Sequence, residues 1–361
     1  MNIQLNLLNL LEWGIPFEQK LIVAGPCSAE SADQVMQTAR ALKEHGAHVL
    51  RAGVWKPRTR PGSFEGVGAT GLEWLKAAGR ETGLPVTVEV ATPQQVAACL
   101  KQQIDILWIG ARTTPNPFAV QEIADALKGV DIPVMVKNPI NSDLQLWIGA
   151  LERLNLAGIS RLLAVHRGFS AYKTDVYRNS PLWRIPLELK RLVPGLPLIC
   201  DPSHICGTTE LIPGVAQKAM DLLFDGLMIE VHIDPQSALS DAQQQLTPQA
   251  FGHLIKNLKW KKPSTDSQDY AHTINRLRRQ IDECDTRIIE LLAGRMESAR
   301  QIAIQKMKNN ISIFQPERWS EVVKSRLQQA ADKRLSEEFI HDVFQYIHEE
   351  SIRQQEEVLT T

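Results

Sequence analysis

Short apolar runs alternate with stretches of helical periodicity between Lys20 and about Leu258. Nearly continuous apolar strands that alternate with helices are typical of a parallel sheet covered by helices. Eight such repeats in roughly 240 residues match the size of a (β/α)8 barrel, and they disfavour the alternative of an open doubly wound sheet. We therefore predict an α/β TIM barrel over residues 1–258. The predicted strands are Leu21–Ala24, Val49–Ala52, Val86–Val90, Ile106–Ile109, Val134–Val136, Leu162–Val165, Leu198–Cys200 and Leu227–Val231.

The pattern changes after Leu258. Residues 259–269 read KWKKPSTDSQD, a polar stretch with a proline that is typical of a linker. Beyond it, apolar positions repeat at alternating spacings of three and four, which predicts the seam of a long helix packed against others. Pro316 begins a second predicted helix and Leu335–Val358 forms a third, so residues 270–361 are predicted to be a small all-α domain. The seam positions are Ile274, Leu277, Ile281, Cys284, Ile288 and Leu291.

The composition excludes several classes of protein. A net charge of −1 gives no electrostatic basis for nucleic-acid binding, so an anion site must be a local cluster. The five cysteines form no C-x-x-C pair and are odd in number, which favours a reducing, cytoplasmic compartment over a disulfide framework. No apolar run approaches the length of a membrane span. Asparagines interrupt the leucine-rich segment Met1–Leu11, which we expect to be structural rather than a signal peptide.

Charged or metal-binding side chains follow every predicted strand. In a barrel of this kind the carboxyl ends of all strands open on one face, where the reacting groups lie. A single charged loop residue would mean little, but such residues at all eight strand ends are hard to obtain by chance. These residues are Cys27, Arg51, Lys56, Glu89, Arg112, Lys137, Arg167, Asp201, His204, Glu230 and His232.

The strand-end residues fall into two chemical sets. Five cations gathered at the strand ends would repel one another unless a multiply charged anion, such as a phosphate or a carboxylate, lies between them. A thiol, an imidazole and two carboxylates suit a divalent metal such as Mn, Fe, Co or Zn. Cys27 alone would be a buried core thiol, so the metal prediction depends on the whole set. The cations are Arg51, Lys56, Arg112, Lys137 and Arg167, and the ligands are Cys27, His204, Glu230 and Asp241.

Six motifs lie between about Leu21 and Asn257: GPCSAE, KPRT, GAR, VKNP, DPSH and GLMIEVH. Asp241 follows Glu230 by eleven residues. Together these features resemble 3-deoxy-D-arabino-heptulosonate 7-phosphate (DAHP) synthases of the type Iβ group. The resemblance implies that the ligand set holds the metal, that the five cations hold phosphoenolpyruvate, and that Arg58 and Thr59 hold erythrose 4-phosphate. Glu89 and Lys137 are candidates for delivering the attacking water. The alternative is a 3-deoxy-octulosonate 8-phosphate synthase. Because GPCS begins at Gly25, we expect no regulatory domain before the barrel.

The helical domain carries its own polar constellation. Arg295 continues the apolar seam, and Lys306, eleven residues later, returns to nearly the same face. Ser351 and Gln355 form an i, i+4 pair, whereas Arg278 points about a quarter turn away from Arg295.

This constellation resembles the AroQ class of chorismate mutases over about Tyr270–Glu357. The resemblance implies that Arg278, donated across a homodimer, and Arg295 bind the two substrate carboxylates, with Ser351 assisting. It implies that Lys306 and Gln355 bind the ether oxygen. Gln315 and Trp319 replace residues that are usually acidic in the family, and the second of these commonly contacts the substrate hydroxyl. The alternative is a sensing or dimerisation module without catalysis.

These resemblances predict a bifunctional enzyme of aromatic amino acid biosynthesis. It would form DAHP and phosphate from phosphoenolpyruvate and erythrose 4-phosphate, and it would rearrange chorismate to prephenate. We also expect prephenate or chorismate, bound at Arg278, Arg295 and Lys306, to change the rate of condensation, because a ligand can favour one arrangement of two domains joined by a polar linker.

Overall fold

The computed structural model describes residues 3–56, 62–172 and 176–360. The chain divides into two compact units, Met1–Pro263 and Ser264–Thr361. The division lies inside the predicted linker 259–269. For the described residues, no helix is long and apolar enough to cross a membrane.

The first unit is a closed barrel of eight parallel strands, which confirms the predicted fold. β1 pairs with β8 and closes the ring, with Leu21 opposite Gly226 and Gly25 opposite Glu230. Each observed strand matches a predicted run to within a residue at either end, because only strands buried on both faces carry such continuous apolar runs. The strands are β1 (Leu21–Gly25), β2 (Val49–Arg51), β3 (Val86–Val90), β4 (Ile106–Ile109), β5 (Val134–Lys137), β6 (Leu162–His166), β7 (Leu198–Cys200) and β8 (Gly226–Glu230).

Helices cover the outside of the barrel, and several begin at a side chain that accepts a hydrogen bond from the first turn. Ser31, Thr92, Asn116, Asp143 and Thr247 are such N-caps. The helices are α1 (Ala32–Glu44), α2 (Thr70–Thr82), α3 (Pro93–Lys101), α4 (Pro117–Ala126), α5 (Leu144–Leu156), α6 (Arg184–Leu192), α7 (Pro202–Cys206), α8 (Ile212–Asp221) and α9 (Pro248–Asn257).

The N-terminal segment packs against the interior of the barrel, as expected of a structural segment. Asn9 caps a short 3-10 helix, Leu10–Trp13, in a capping box with Glu12. Leu10 and Trp13 join the cluster of inward-facing strand residues that includes Trp108. This packing leaves the opposite, carboxyl-terminal end of the strands for the polar side chains.

The second unit consists of three helices: α10 (Gln268–Lys308), α11 (Pro316–Ala331) and α12 (Glu337–Thr360). Its buried positions on α10 are Met296, Ala299 and Ala303, all in the C-terminal half of that helix.

In a single chain, the predicted α10 seam is not covered along its whole length by the other helices. Leu277, Ile281 and Leu291 are 41%, 58% and 74% exposed. The physical reason is length: α10 has 41 residues and spans about 62 Å, whereas α12, with 24 residues, spans about 36 Å. The N-terminal half of α10 therefore extends beyond the reach of its partner.

Candidate active sites

Three of the four predicted metal ligands meet at the carboxyl ends of the barrel strands. Cys27 follows β1, Glu230 ends β8, and Asp241 lies in the loop beyond β8. One ligand atom of each lies within 4.8 Å of the others, and Cys27 Sγ is 3.3 Å from Asp241 Oδ2. A thiol and two carboxylates at this spacing fit a borderline divalent cation.

The fourth predicted ligand, His204, lies at the edge of this cluster and not in the mutually close group. Its Nε2 is 3.7 Å from Glu230 Oε1, and its Nδ1 is 2.8 Å from Asp201 Oδ2. With the proton on Nδ1 held by Asp201, the lone pair of Nε2 stays available beside Glu230. A carboxylate behind the imidazole is the usual support of a metal-binding histidine.

Hydrogen-bond donors hold both carboxylates of the cluster in the ionised form. Glu230 accepts from Arg51 Nη2 at 3.0 Å and from Gln244 Nε2 at 2.6 Å, while Asp241 Oδ1 accepts from Arg178 Nη1 at 3.0 Å. Burial would raise the pKa of Asp241, but the charge and hydrogen bond of Arg178, together with His204 and Lys56, outweigh burial, and the pKa lies below its ordinary value. Both side chains are therefore available as anionic ligands.

Cys27 is fully buried, and a cation is needed to ionise it. Lys56 Nζ lies 2.9 Å from its Sγ and 3.0 Å from its carbonyl oxygen. Burial, reinforced by Glu230, raises the pKa of the Cys27 thiol to about 12 despite the nearby ammonium. Metals bind the thiolate and release its proton, so a bound divalent ion would reverse this preference. Lys56 thus lies at the metal cluster.

Arg51 and Lys137 form the buried centre of the cation set. Lys137 Nζ is 2.8 Å from Asp201 Oδ2, and Arg51 Nη1 is 4.0 Å from the same oxygen. Both lie over the Trp108 ring, with Arg51 Cζ at 5.0 Å and Lys137 Nζ at 5.8 Å from its centroid. Arg51 Nε and Nη1 are buried without a hydrogen-bond partner among the described residues. Unsatisfied buried donors of this kind favour an anionic ligand.

Glu89 and Arg167 also face the barrel mouth. Glu89 Oε2 accepts a hydrogen bond from the indole N–H of Trp108 at 3.1 Å. Arg167 donates to Asn179 Oδ1 at 2.7 Å, and burial lowers its pKa to about 10. Arg112 is exposed, and its positive charge, like burial, lowers the pKa of Arg167.

Arg58 and Thr59, the residues predicted to hold erythrose 4-phosphate, lie outside the described residues.

In the helical domain, Arg295, Ser351 and Gln355 come together between α10 and α12. Arg295 Nη1 donates to Ser351 Oγ, and it lies 3.4 Å from the carbonyl oxygen of Ile347. Gln355 Nε2 donates to the Ser351 carbonyl oxygen at 3.2 Å, while Gln355 Oε1 is buried without a partner in the described part of the chain. An unpaired buried amide oxygen on a helix face that also contacts a guanidinium favours a polar ligand.

Lys306 and Arg278 differ in their relation to this group. Lys306 Nζ donates to the carbonyl oxygen of Ile313, at the loop that leads into α11. Arg278 is exposed and precedes Arg295 by 17 residues of continuous helix, or about 26 Å along the axis. Within one chain, Arg278 therefore cannot reach a ligand held by Arg295.

The two positions that depart from the mutase pattern have different environments. Gln315 is the N-cap residue of α11, but its side chain makes no capping hydrogen bond. Trp319 stacks on His348 of α12, with ring centroids 4.1 Å apart and an interplanar angle of 9°.

Comparison with known proteins identifies both units. The family model described as "DAHP synthetase I family" matches residues 17–265. The chain belongs to the DAHP synthetase I family. A second model, "Chorismate mutase type II", matches residues 277–356. The chain thus combines a DAHP synthase barrel with a chorismate mutase domain, two enzymes of aromatic amino acid biosynthesis.

Curated relatives and solved structures resemble the DAHP synthase barrel. The phospho-2-dehydro-3-deoxyheptonate aldolase of Thermotoga maritima is 31% identical over 238 residues, covering 66% of this chain and 68% of the relative. A crystal structure of the DAHP synthase from Thermotoga maritima has a TM-score of 0.61 at 29% identity, covering 68% of this chain and 70% of that one. A 2-dehydro-3-deoxyphosphooctonate aldolase of Nitratidesulfovibrio vulgaris is 29% identical over 267 residues, covering 66% of this chain and 91% of the relative. The barrel is thus also similar to the alternative enzyme considered from sequence.

Several residues of the DAHP synthase site were not assigned a role from sequence. Asp201 was noted only as a strand-end residue, yet it contacts both Lys137 and His204. Trp108 could have been placed inside the barrel, because strand alternation separates it from Leu107 and Ile109. Nothing in the local sequence pattern marks Arg178, which bridges Asp241 and Gln244 from a long loop.

Proposed function

We propose that the barrel mouth binds phosphoenolpyruvate through Arg51, Lys56, Arg112, Lys137 and Arg167, beside a divalent metal held by Cys27, His204, Glu230 and Asp241. One observation carries this proposal: Arg51 contacts Glu230 of the metal cluster and lies beside Asp201, the partner of Lys137. Arg51 therefore connects the cation set to the proposed metal ligands. The thiol, carboxylates and imidazole suit Mn, Fe, Co or Zn.

The condensation requires an enol carbon to attack an aldehyde. A divalent metal, when bound, acts as a Lewis acid that makes the aldehyde of erythrose 4-phosphate a better electrophile. Arg51 and Lys137 orient the phosphoenolpyruvate and balance its phosphate and carboxylate charges. Water then adds to the cationic carbon left by the attack, and phosphate departs by C–O cleavage.

Lys137 and Glu89 are the residues we propose for delivering that water. Burial lowers the pKa of Lys137, and Asp201 opposes this effect by stabilising the ammonium. A buried lysine whose pKa is lowered can exchange a proton more easily near neutral pH. Glu89 is held in place by the Trp108 N–H.

The choice of aldehyde tests the barrel assignment. We expect erythrose 4-phosphate to be preferred over arabinose 5-phosphate by roughly 100-fold or more in kcat/KM, since a pocket shaped for one sugar length discriminates at about this level. The measurement is consumption of phosphoenolpyruvate by the purified full chain with each sugar. A preference for arabinose 5-phosphate would contradict the assignment to DAHP formation.

We propose that the mutase domain binds chorismate with Arg295 and Ser351 at one carboxylate, Arg278 at the other, and Lys306 and Gln355 at the ether oxygen. Negative charge grows on that oxygen as the bond breaks, so nearby donors lower the barrier. The rearrangement is intramolecular and needs no nucleophile or general base. The contact of Arg295 with Ser351 supports this arrangement.

We further propose a homodimer located in the cytoplasm. Arg278 must come from a second copy of the chain, because it lies about 26 Å along α10 from Arg295 of its own chain. The exposed apolar positions Leu277 and Ile281 support an interface on the same half of α10.

Feedback through the mutase site is the regulatory part of the proposal. Prephenate or chorismate bound at Arg278, Arg295 and Lys306 would change the condensation rate by favouring one arrangement of the two units. A coupling of about 1–3 kcal/mol would suffice. We expect condensation kinetics to respond to prephenate in the full chain but not in Arg295→Ala or in a chain truncated near Lys262. An equal response in the truncated barrel, or none in the intact chain, would contradict the proposal.

A further inference from the structure

His348 is a neighbour of the proposed mutase site that has no counterpart in the roles assigned above. It lies on the face of α12 that carries Ser351 and Gln355, three and seven residues further on. Arg295 contacts the adjacent carbonyl of Ile347 and the side chain of Ser351, one helical turn away. The imidazole is therefore a direct neighbour of the proposed carboxylate-binding group.

Lys306 also lies near the same ring, because its charge acts on the imidazole. Its Nζ donates to the carbonyl oxygen of Ile313. The next residue, Phe314, places its ring 5.9 Å from the His348 ring. His348 thus lies close to the contacts of both Arg295 and Lys306, the two cations proposed to bind the substrate.

One nitrogen of this imidazole has no partner. His348 Nε2 is buried and makes no hydrogen bond to any described residue. Gln355 Oε1, on the same helix face, is the other unpaired buried atom of this domain in the part of the chain that is described. Buried polar atoms without partners are rare, and two on one face indicate a polar ligand.

Trp319 holds the His348 ring in its position. In the family pattern this place carries an acidic residue that contacts the substrate hydroxyl, whereas an indole cannot accept a hydrogen bond there. Here Trp319 stacks flat on His348, with centroids 4.1 Å apart, and so fixes the orientation of the ring.

We infer that His348 Nε2 binds the ring hydroxyl of chorismate and that Trp319 positions it for this contact. The inference rests on the proposed mutase function. A hydroxyl can pair with either tautomer of the ring, because it both donates and accepts. Burial, with Arg295 and Lys306, lowers the pKa of His348 against the opposing charge of Glu349, so the imidazole is neutral at pH 7.

Two substitutions of His348 separate the hydrogen bond from the stack. His348→Phe keeps an aromatic ring on Trp319 and removes the nitrogen. His348→Gln keeps a hydrogen-bonding group and weakens the stack. The substrates are chorismate and its 4-deoxy analogue, which lacks the ring hydroxyl, and the enzyme is the full-length chain. The matched control is His341→Phe, which changes a half-exposed histidine of the same helix that faces Asp342.

We expect the full chain to prefer chorismate over the 4-deoxy analogue by about tenfold to 100-fold in kcat/KM, the range for one buried hydrogen bond. His348→Phe should lose this preference, with little change towards the analogue, while His348→Gln and His341→Phe should retain it. If His348→Phe kept the preference for chorismate, or if only His348→Gln lost it, the inference would be overturned. The mutase assignment would remain intact in both cases. No turnover of chorismate by the unaltered chain would overturn both.

Discussion

Cys27→Ala is expected to abolish the condensation while leaving the mutase reaction intact. Cys27 supplies the only sulfur ligand of the described cluster, within 4.8 Å of the ligand atoms of Glu230 and Asp241. Loss of a contact that only supports a metal ligand lowers metal affinity or activity by about 10–100-fold. Loss of the ligand itself should therefore lower the condensation activity by more than about 100-fold. The measurement is release of phosphate from phosphoenolpyruvate and erythrose 4-phosphate, together with the metal content of the purified variant.

Cys99→Ala is the matched control for this prediction. Cys99 is also buried, but it lies in α3 within the outer core of the barrel. Its substitution should cost about 1 kcal/mol of folding stability, as for removal of one small buried group, without affecting catalysis. Equal activity of the two variants, or normal metal content in Cys27→Ala, would remove Cys27 from the metal site.

Arg295→Ala should have the largest effect on the mutase reaction. It removes the guanidinium that contacts Ser351 and leaves a substrate carboxylate without its partner. Breaking such a buried pair costs about 3–5 kcal/mol of transition-state stabilisation, or roughly 150- to 5,000-fold in kcat/KM. The measurement is chorismate consumption by the full-length variant.

Arg353→Ala controls for the loss of an arginine from this domain. Its side chain is 54% exposed and pairs with Glu350 and Glu357 on the surface of α12. We expect its mutase activity to match that of the unaltered chain, because exposed ion pairs contribute little. Mutase turnover retained in Arg295→Ala would mean that the carboxylate is bound elsewhere.

The barrel could be predicted from sequence because its strands are buried on both faces. Such strands must be apolar throughout, and Val134–Lys137 is apolar up to its final residue. A polar residue at the end of such a strand, like Lys137, then lies at the mouth of the barrel. The convergence of Cys27 and Glu230 at the barrel mouth was predictable for the same reason, since Cys27 follows β1 and Glu230 ends β8. His204 was harder to place, because its position depends on the hydrogen bond to Asp201 across the turn of α7.

The contacts that depend on long-range packing could not be predicted. The α10 seam at Ile281 and Leu291 has the correct period, yet a period does not say which helix, or which copy of the chain, covers it. Likewise, Trp319 and His348 are 29 positions apart on two different helices, and neither residue carries a local signal for their stacking. Arg178 reaches Asp241 across 63 positions in the same way.

The most direct test is to measure both reactions on one preparation of the full chain, before and after removal of divalent metal. With metal removed, we expect condensation of phosphoenolpyruvate with erythrose 4-phosphate to be lost and to return on addition of Mn²⁺. Chorismate consumption should be unchanged throughout, because the helical site uses only side chains and needs no metal. Undiminished condensation in protein verified to be free of metal would contradict the account.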